Sequence, residues 1–130
     1  MTEPQWVSSA VALAVHRMLL AEHGGLPGLR DEALLESALA RPRQQYAYEP
    51  TASLFDLAAS YGHGLIRNHP FADGNKRVAL VVAALFLEIN GWQLVAPEPE
   101  TALVFEKLAA DEIDEAGLAR WLREHAVKPG

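Results

Sequence analysis

The chain has 130 residues, the size of one domain, which argues against a two-domain enzyme with a separate cofactor module. Half of the residues are apolar and 22% are charged, so the chain is expected to fold by itself. The absence of cysteine excludes disulfide scaffolds, thiolate nucleophiles and sulfur-based zinc sites, and fits a reducing cytosol. The net charge of −6 divides into 8 acids and 7 bases over residues 1–77 and 9 acids and 4 bases over residues 78–130, which argues against the broad basic footprint of direct nucleic-acid binding.

The opening residues, Met1 to Trp6, are acidic and polar and lack the positive charge and apolar run of a signal peptide. Helical apolar spacing then recurs almost throughout, without repeats or linkers, and predicts an all-α fold of six helices. The first helix is expected over about residues 4–22, opening at Pro4, burying Val7, Val11, Ala14 and Met18, and stopping at Gly24-Gly25. The second is expected over about 31–41, capped by Asp31 and ended by Pro42; residues 42–52 read as a loop or short flap. Ser53 and Asp56, at capping-box spacing, open the third helix, which places Leu54, Leu57, Ala58, Tyr61 and Leu65 in one stripe and ends near Asn68, before Pro70. Gly62 and Gly64 inside it point to close helix packing, with loop mobility as the alternative. The fourth helix, about 75–89, is apolar nearly all round, from Val78 to Ile89, and reads as the buried central helix. Its ten-residue run Val78 to Leu87 is too short to span a membrane, which needs roughly 20 apolar residues. Asn90-Gly91 stops it. Trp92 to Val95 is the one strand-like stretch, and two more helices follow at about 99–110 and 114–126.

Chemistry concentrates in His69-Pro-Phe-Ala-Asp-Gly-Asn-Lys-Arg77, between the third and fourth helices. A short loop with Gly74 leading into a helix aims backbone N–H groups and the positive end of the helix dipole at one point, which suits phosphate. Asp73 would repel an anion unless a cation lies between them, so a Mg²⁺–nucleotide complex resolves the conflict. Lys76 and Arg77 are cations where the dipole disfavours them, and an anionic ligand explains their presence. Histidine titrates near neutral pH, so His69 is a natural general base for a hydroxyl. Phe71, among polar neighbours, is expected to turn inward and pin the loop.

These nine residues resemble the signature of the Fic superfamily, His-x-Phe-x-Asp/Glu-Gly-Asn-Gly-Arg-x-x-Arg, in which the motif opens a buried helix. Lys76 stands where the nucleotidylating members have glycine, and Leu80 where they have the second arginine. Both departures are similar to the death-on-curing (Doc) toxin branch, as are Gly24-Gly-Leu-Pro-Gly28, Asp31, Tyr46-Ala-Tyr-Glu49 and Leu85-Phe-Leu87 through Asn90-Gly91. The resemblance implies one Fic/Doc-type helical domain over residues 1–130. It implies the toxin of a bacterial toxin–antitoxin pair, which uses Mg²⁺ and ATP to phosphorylate a threonine of elongation factor Tu and halts translation. A small antitoxin is the implied partner. By position, His69 is then the base, Asp73 the Mg²⁺ ligand, Gly74, Asn75, Lys76 and Arg77 the phosphate-binding groups, with Arg77 also catalytic, and Phe71 the loop's anchor. The self-inhibiting string Ser/Thr-x-x-x-Glu-Gly/Asn of some relatives does not occur.

Other readings stand beside this one. Asp73-Gly74 also fits a plain turn and cap, with His69, Lys76 and Arg77 solvated. An adenylyltransferase and a non-catalytic binding module are the alternative functions; Lys76 and Leu80 disfavour the first, and intact His69 and Asp73 the second. His16, His23, His63 and His125 form no spaced ligand set and are assigned no role. Arg41 and Arg43 read as a solvated pair beside Pro42, with contact to a target or ligand as the alternative, and Trp6, Trp92 and Trp121 as packing residues.

Overall fold

Side-chain caps set most helix starts in this computed structural model, which describes residues 2–130. Ser8 accepts from the Val11 N–H to open α1 (Ser9–His23), Asp31 from Leu34 to open α2 (Glu32–Tyr48), and Asp114 from Gly117 to open α6 (Glu115–His125). At the start of α3 (Leu54–Asn68), Ser53 and Asp56 form both halves of the expected capping box. The remaining helices are α4 (Asn75–Ile89) and α5 (Glu98–Ala109). Two short strands, β1 (Gln93–Leu94) and β2 (Ala126–Val127), pair antiparallel, so the strand-like stretch finds its partner at the far end of the chain. The all-α reading holds.

The centre of the fold is α3, not α4. It packs against α2, α4, α5 and α6, and nine of its fifteen residues are buried. Small residues make this role possible: a Cβ on Gly64 would meet the Ala38 carbonyl oxygen of α2 at 3.3 Å, and one on Gly62 would meet Phe105 at 3.1 Å and Leu118 at 3.2 Å. Close helix packing therefore explains both glycines. The all-round apolarity of α4 has another outcome: Val78, Val82, Phe86 and Leu87 are buried, while Leu80, Val81 and Ala84 line an open groove and Ile89 is exposed.

Two further expectations fail. The first helix begins at Ser9 and is turned from the expected face: Ala12, Val15, His16 and Leu19 are buried, whereas Val11 is 39% and Met18 52% exposed. The second helix runs straight through Pro42 to Tyr48, so residues 42–48 are not a flap. Proline cannot donate to the Ala38 carbonyl one turn back, a loss that normally breaks a helix. Here the face made by Leu35, Ala38, Leu39 and Pro42 is buried, and the neighbouring Arg41 clamps α2 to two other helices. Its guanidinium donates to both Glu115 carboxylate oxygens, at 2.9 and 2.6 Å, and to Ser60 Oγ at 3.0 Å. Arg41 is thus a structural clamp rather than a solvated charge, and Arg43 lies 5.7 Å from the Trp6 ring. Among the described residues, no helix is long and apolar enough to cross a membrane.

Candidate active site

Residues 69–74 carry the chain from α3 into α4, and backbone contacts hold nearly every step of that turn. His69 ends α3 in the left-handed conformation, φ 51° and ψ 54°, which few non-glycine residues adopt. Arg30 fixes it there, its Nε donating to the His69 carbonyl at 2.8 Å and a terminal nitrogen to the Asn68 carbonyl at 3.0 Å. The Pro70 carbonyl accepts from the N–H groups of Arg30 and Asp31, and Ala72 donates back to Gly28, so Leu29 and Phe71 form an antiparallel bridge. The backbone on both sides of His69 is stitched to the loop before α2, while its imidazole faces solvent.

Phe71 is fully buried, as expected. Its backbone is held by Asn75: the side-chain oxygen accepts from the Phe71 N–H and the side-chain nitrogen donates to the Phe71 carbonyl, both at 3.0 Å. This changes the reading of Asn75 as a phosphate contact. Its amide is buried and occupied by the loop, and the group left for a ligand is its backbone N–H in the first turn of α4.

The carboxylate of Asp73 is exposed but oriented. One oxygen accepts from the Gly74 N–H at 2.9 Å and the other from the Leu26 N–H at 3.2 Å. Gly25 passes so near that a Cβ there would lie 2.7 Å from the second oxygen. The loop Gly24 to Leu26 therefore forms one wall around Asp73. Gly74 caps α4 with φ 81°, a left-handed geometry suited to glycine, and adds no side-chain acceptor to the first turn. With no acidic residue in that turn either, the helix end keeps its positive potential.

These groups open onto one cleft of about 320 Å³, lined by His69, Asp73, Gly74, Asn75, Lys76, Arg77 and Glu106. Phe71 alone among the sequence candidates lies beneath it. Across the cleft Lys76 Nζ meets Glu106 of α5 at 2.9 Å. Arg77 is exposed and also borders the apolar groove of about 340 Å³, where Leu80 lies with Leu19, Val81, Ala84, Leu94 and Ala102. Leu80 does not line the cleft.

Three contributors escape sequence reasoning: Arg30, Glu106 and His16. The glycine pattern before Asp31 marks the Arg30 loop without singling out the arginine, and nothing in the sequence of the twelve-residue helix α5 marks Glu106. His16, buried on α1, stacks on Phe71 with ring centroids 4.0 Å apart, and its Nε2 lies 3.0 Å from the Asp73 carbonyl oxygen. Among the described residues, no three His, Asp or Glu side chains gather into a metal cage. A single carboxylate beside a phosphate site is nonetheless a fit for Mg²⁺, which is commonly bound through one or two carboxylates, substrate phosphates and water. The two N–H contacts leave the Asp73 oxygens lone pairs to spare.

The profile of the Fic/DOC family matches residues 6–87. The chain is 38% identical over 117 residues to a protein named protein kinase doc from Escherichia phage P1, covering 90% of this chain and 92% of that one. It is also 46% identical over 74 residues to a protein named Toxin Doc from Mycolicibacterium smegmatis, covering 56% of this chain and 57% of the relative.

Proposed function

The chain belongs to the Fic/Doc family, and on that premise we propose that it is a Doc-type toxin, a protein kinase that moves the γ-phosphoryl group of ATP onto a protein hydroxyl. The observation that carries this reading is the division of labour at the start of α4: Lys76 projects into the cleft, and Leu80 is turned into the apolar groove. The adenylylating members that the motif resembles use a glycine and a second arginine to seat a triphosphate with its α-phosphorus facing the base. Here the lysine fills the glycine's space and no arginine reaches the cleft from position 80, which removes a charge-assisted contact commonly worth ~1.5–3 kcal/mol. The same helix end holds phosphates with the nucleotide reversed, bringing the γ-phosphorus to His69.

In this reading the N–H groups of Asn75, Lys76 and Arg77 and the side chains of Lys76 and Arg77 bind the phosphates. Lys76 exchanges its partner Glu106 for phosphate oxygens. The His69 imidazole takes the proton of the target hydroxyl as its oxygen bonds to the γ-phosphorus; the bond to the bridging oxygen breaks, and ADP leaves. Asp73 would hold Mg²⁺, which when bound offsets the charge of the phosphate oxygens. Arg77 remains on the transferring group. The target we infer from the motif's resemblance is a threonine of elongation factor Tu, so that translation stops, and the partner is a small antitoxin laid into the groove beside Arg77. One Fic/Doc domain suffices for all of this.

ATP labelled at the α- or the γ-phosphate, supplied with the protein to a bacterial lysate, tests the proposal. Label from the γ-position should appear on a protein, and His69→Ala should reduce the rate by about 10²–10⁴-fold. Incorporation of the α-label would replace phosphorylation by adenylylation, and label from neither position would leave a binding module.

A further inference from the structure

We infer that His16 is a positioning residue for Asp73, acting on the direction in which the Asp73–Gly74 peptide faces; this rests on the reading of Asp73 as the carboxylate that serves a metal–nucleotide complex. His16 is the one polar side chain among the buried residues of α1, only 4% exposed. It uses both its face and its edge. The face lies on Phe71, nearly parallel at 18°, and the edge reaches the Asp73 carbonyl. A carbonyl oxygen only accepts, so Nε2 carries the proton and donates.

The consequence follows from the planarity of the peptide unit. In a trans peptide the C=O and the following N–H point in opposite directions, and the described residues contain no cis bond. Holding the Asp73 carbonyl toward α1 turns the Gly74 N–H the other way, where it donates to the Asp73 carboxylate at 2.9 Å. Leu26 holds the other oxygen. Among the described residues, the Asp73 carbonyl has no donor besides His16. Gly74, at φ 81°, offers little steric resistance to rotation of that peptide. The imidazole thus supplies what the glycine lacks, a fixed orientation passed from α1 through one peptide to the carboxylate. Groups that orient a metal's ligands in this manner commonly change metal affinity 10–100-fold when removed.

His16→Phe keeps a flat ring against Phe71 and removes the donor, and His16→Gln restores a donating N–H. Three measurements on the full chain separate positioning from packing: amide spectra of ¹⁵N-labelled protein, ATP binding with and without Mg²⁺, and the unfolding midpoint. In His16→Phe the Gly74 and Leu26 amide signals should move, and ATP binding should weaken roughly 10–100-fold with Mg²⁺ present and little without it. The unfolding midpoint should fall only modestly, because the freed part-buried carbonyl can turn toward solvent about Gly74, and His16→Gln should recover part of the Mg²⁺-dependent affinity. The inference is overturned if His16→Phe keeps both amide signals and full Mg²⁺-dependent affinity. It is equally overturned if both variants lose binding alike with and without Mg²⁺, in step with their midpoints. In the parent protein, long-range ¹H–¹⁵N spectra must place a proton on His16 Nε2, and its absence there overturns the inference whether or not the variants fold. Asp73→Asn serves as the control on the underlying reading: if it binds Mg²⁺–ATP like the parent, Asp73 is no metal ligand, and the two amide signals alone decide the role of His16.

Discussion

Asn75 stands at the meeting point of loop and helix and illustrates how one residue of the motif holds the rest. Both ends of its amide are bonded to the backbone of Phe71, four residues earlier, in a buried setting. Removing that amide leaves a buried N–H and a buried C=O without partners, and an unsatisfied buried polar group costs about 1–3 kcal/mol. Asn75→Ala should therefore lower stability to urea by an amount in or above that range. A residue that only touched phosphate would leave the urea midpoint unchanged and weaken ATP binding alone. At this scale the motif residues were legible, because residue types with complementary chemistry fall within nine positions of one another. His16 was not. Its partner is a backbone carbonyl 57 residues further on, and a lone histidine on an apolar helix face carries no sign of such a contact.

Helices α2 and α3 show where tertiary packing overrides local rules. Pro42 disfavours a helix, yet its carbonyl partner one turn back, Ala38, lies where Gly64 brings the backbone of α3 close. Gly64→Ala tests that closeness, because its Cβ would press on the Ala38 carbonyl oxygen at 3.3 Å and on the Ala38 Cα and Cβ at 3.4 Å, and backbone gives way less readily than a side-chain end. Overpacking costs about 1–3 kcal/mol, against roughly 1 kcal/mol gained in helix propensity, so the net effect should be destabilising. Gly62→Ala meets only the outer atoms of Phe105 and Leu118 and should lower the unfolding midpoint less. The reverse order in chemical denaturation would show that the α2–α3 contact is looser than the structure has it. Helix ends with local signals, such as Ser53 with Asp56 or Asn90-Gly91, could be read from sequence. The rotation of α1 could not, because Ala10 through Val15 is apolar on every side and periodicity selects no face.

For the molecule as a whole, the groove between α1, α4 and α5 joins the candidate cleft at Arg77. The apolarity of α4, read from sequence as a central position, serves this surface instead, since only the assembled helices reveal which side of α4 is left uncovered. On the proposed function, a partner segment lying along Leu19, Val81 and Ala102 would end at Arg77 and block the approach to the proposed phosphate site, so binding in the groove and relief of toxicity should go together. Ala102 is exposed on α5, and Ala102→Arg places a long charged side chain there with little cost to the core. Expressed in bacteria, this variant should arrest growth like the parent, while co-expression of the proposed antitoxin should rescue the parent and fail to rescue the variant. Arg120→Glu, on the exposed side of α6, should remain rescuable and controls for a general effect of charge. Full rescue of Ala102→Arg would place the antitoxin on another face. A loss of toxicity in the variant alone, with its fold intact, would instead assign the groove to the nucleotide or the target rather than to the antitoxin.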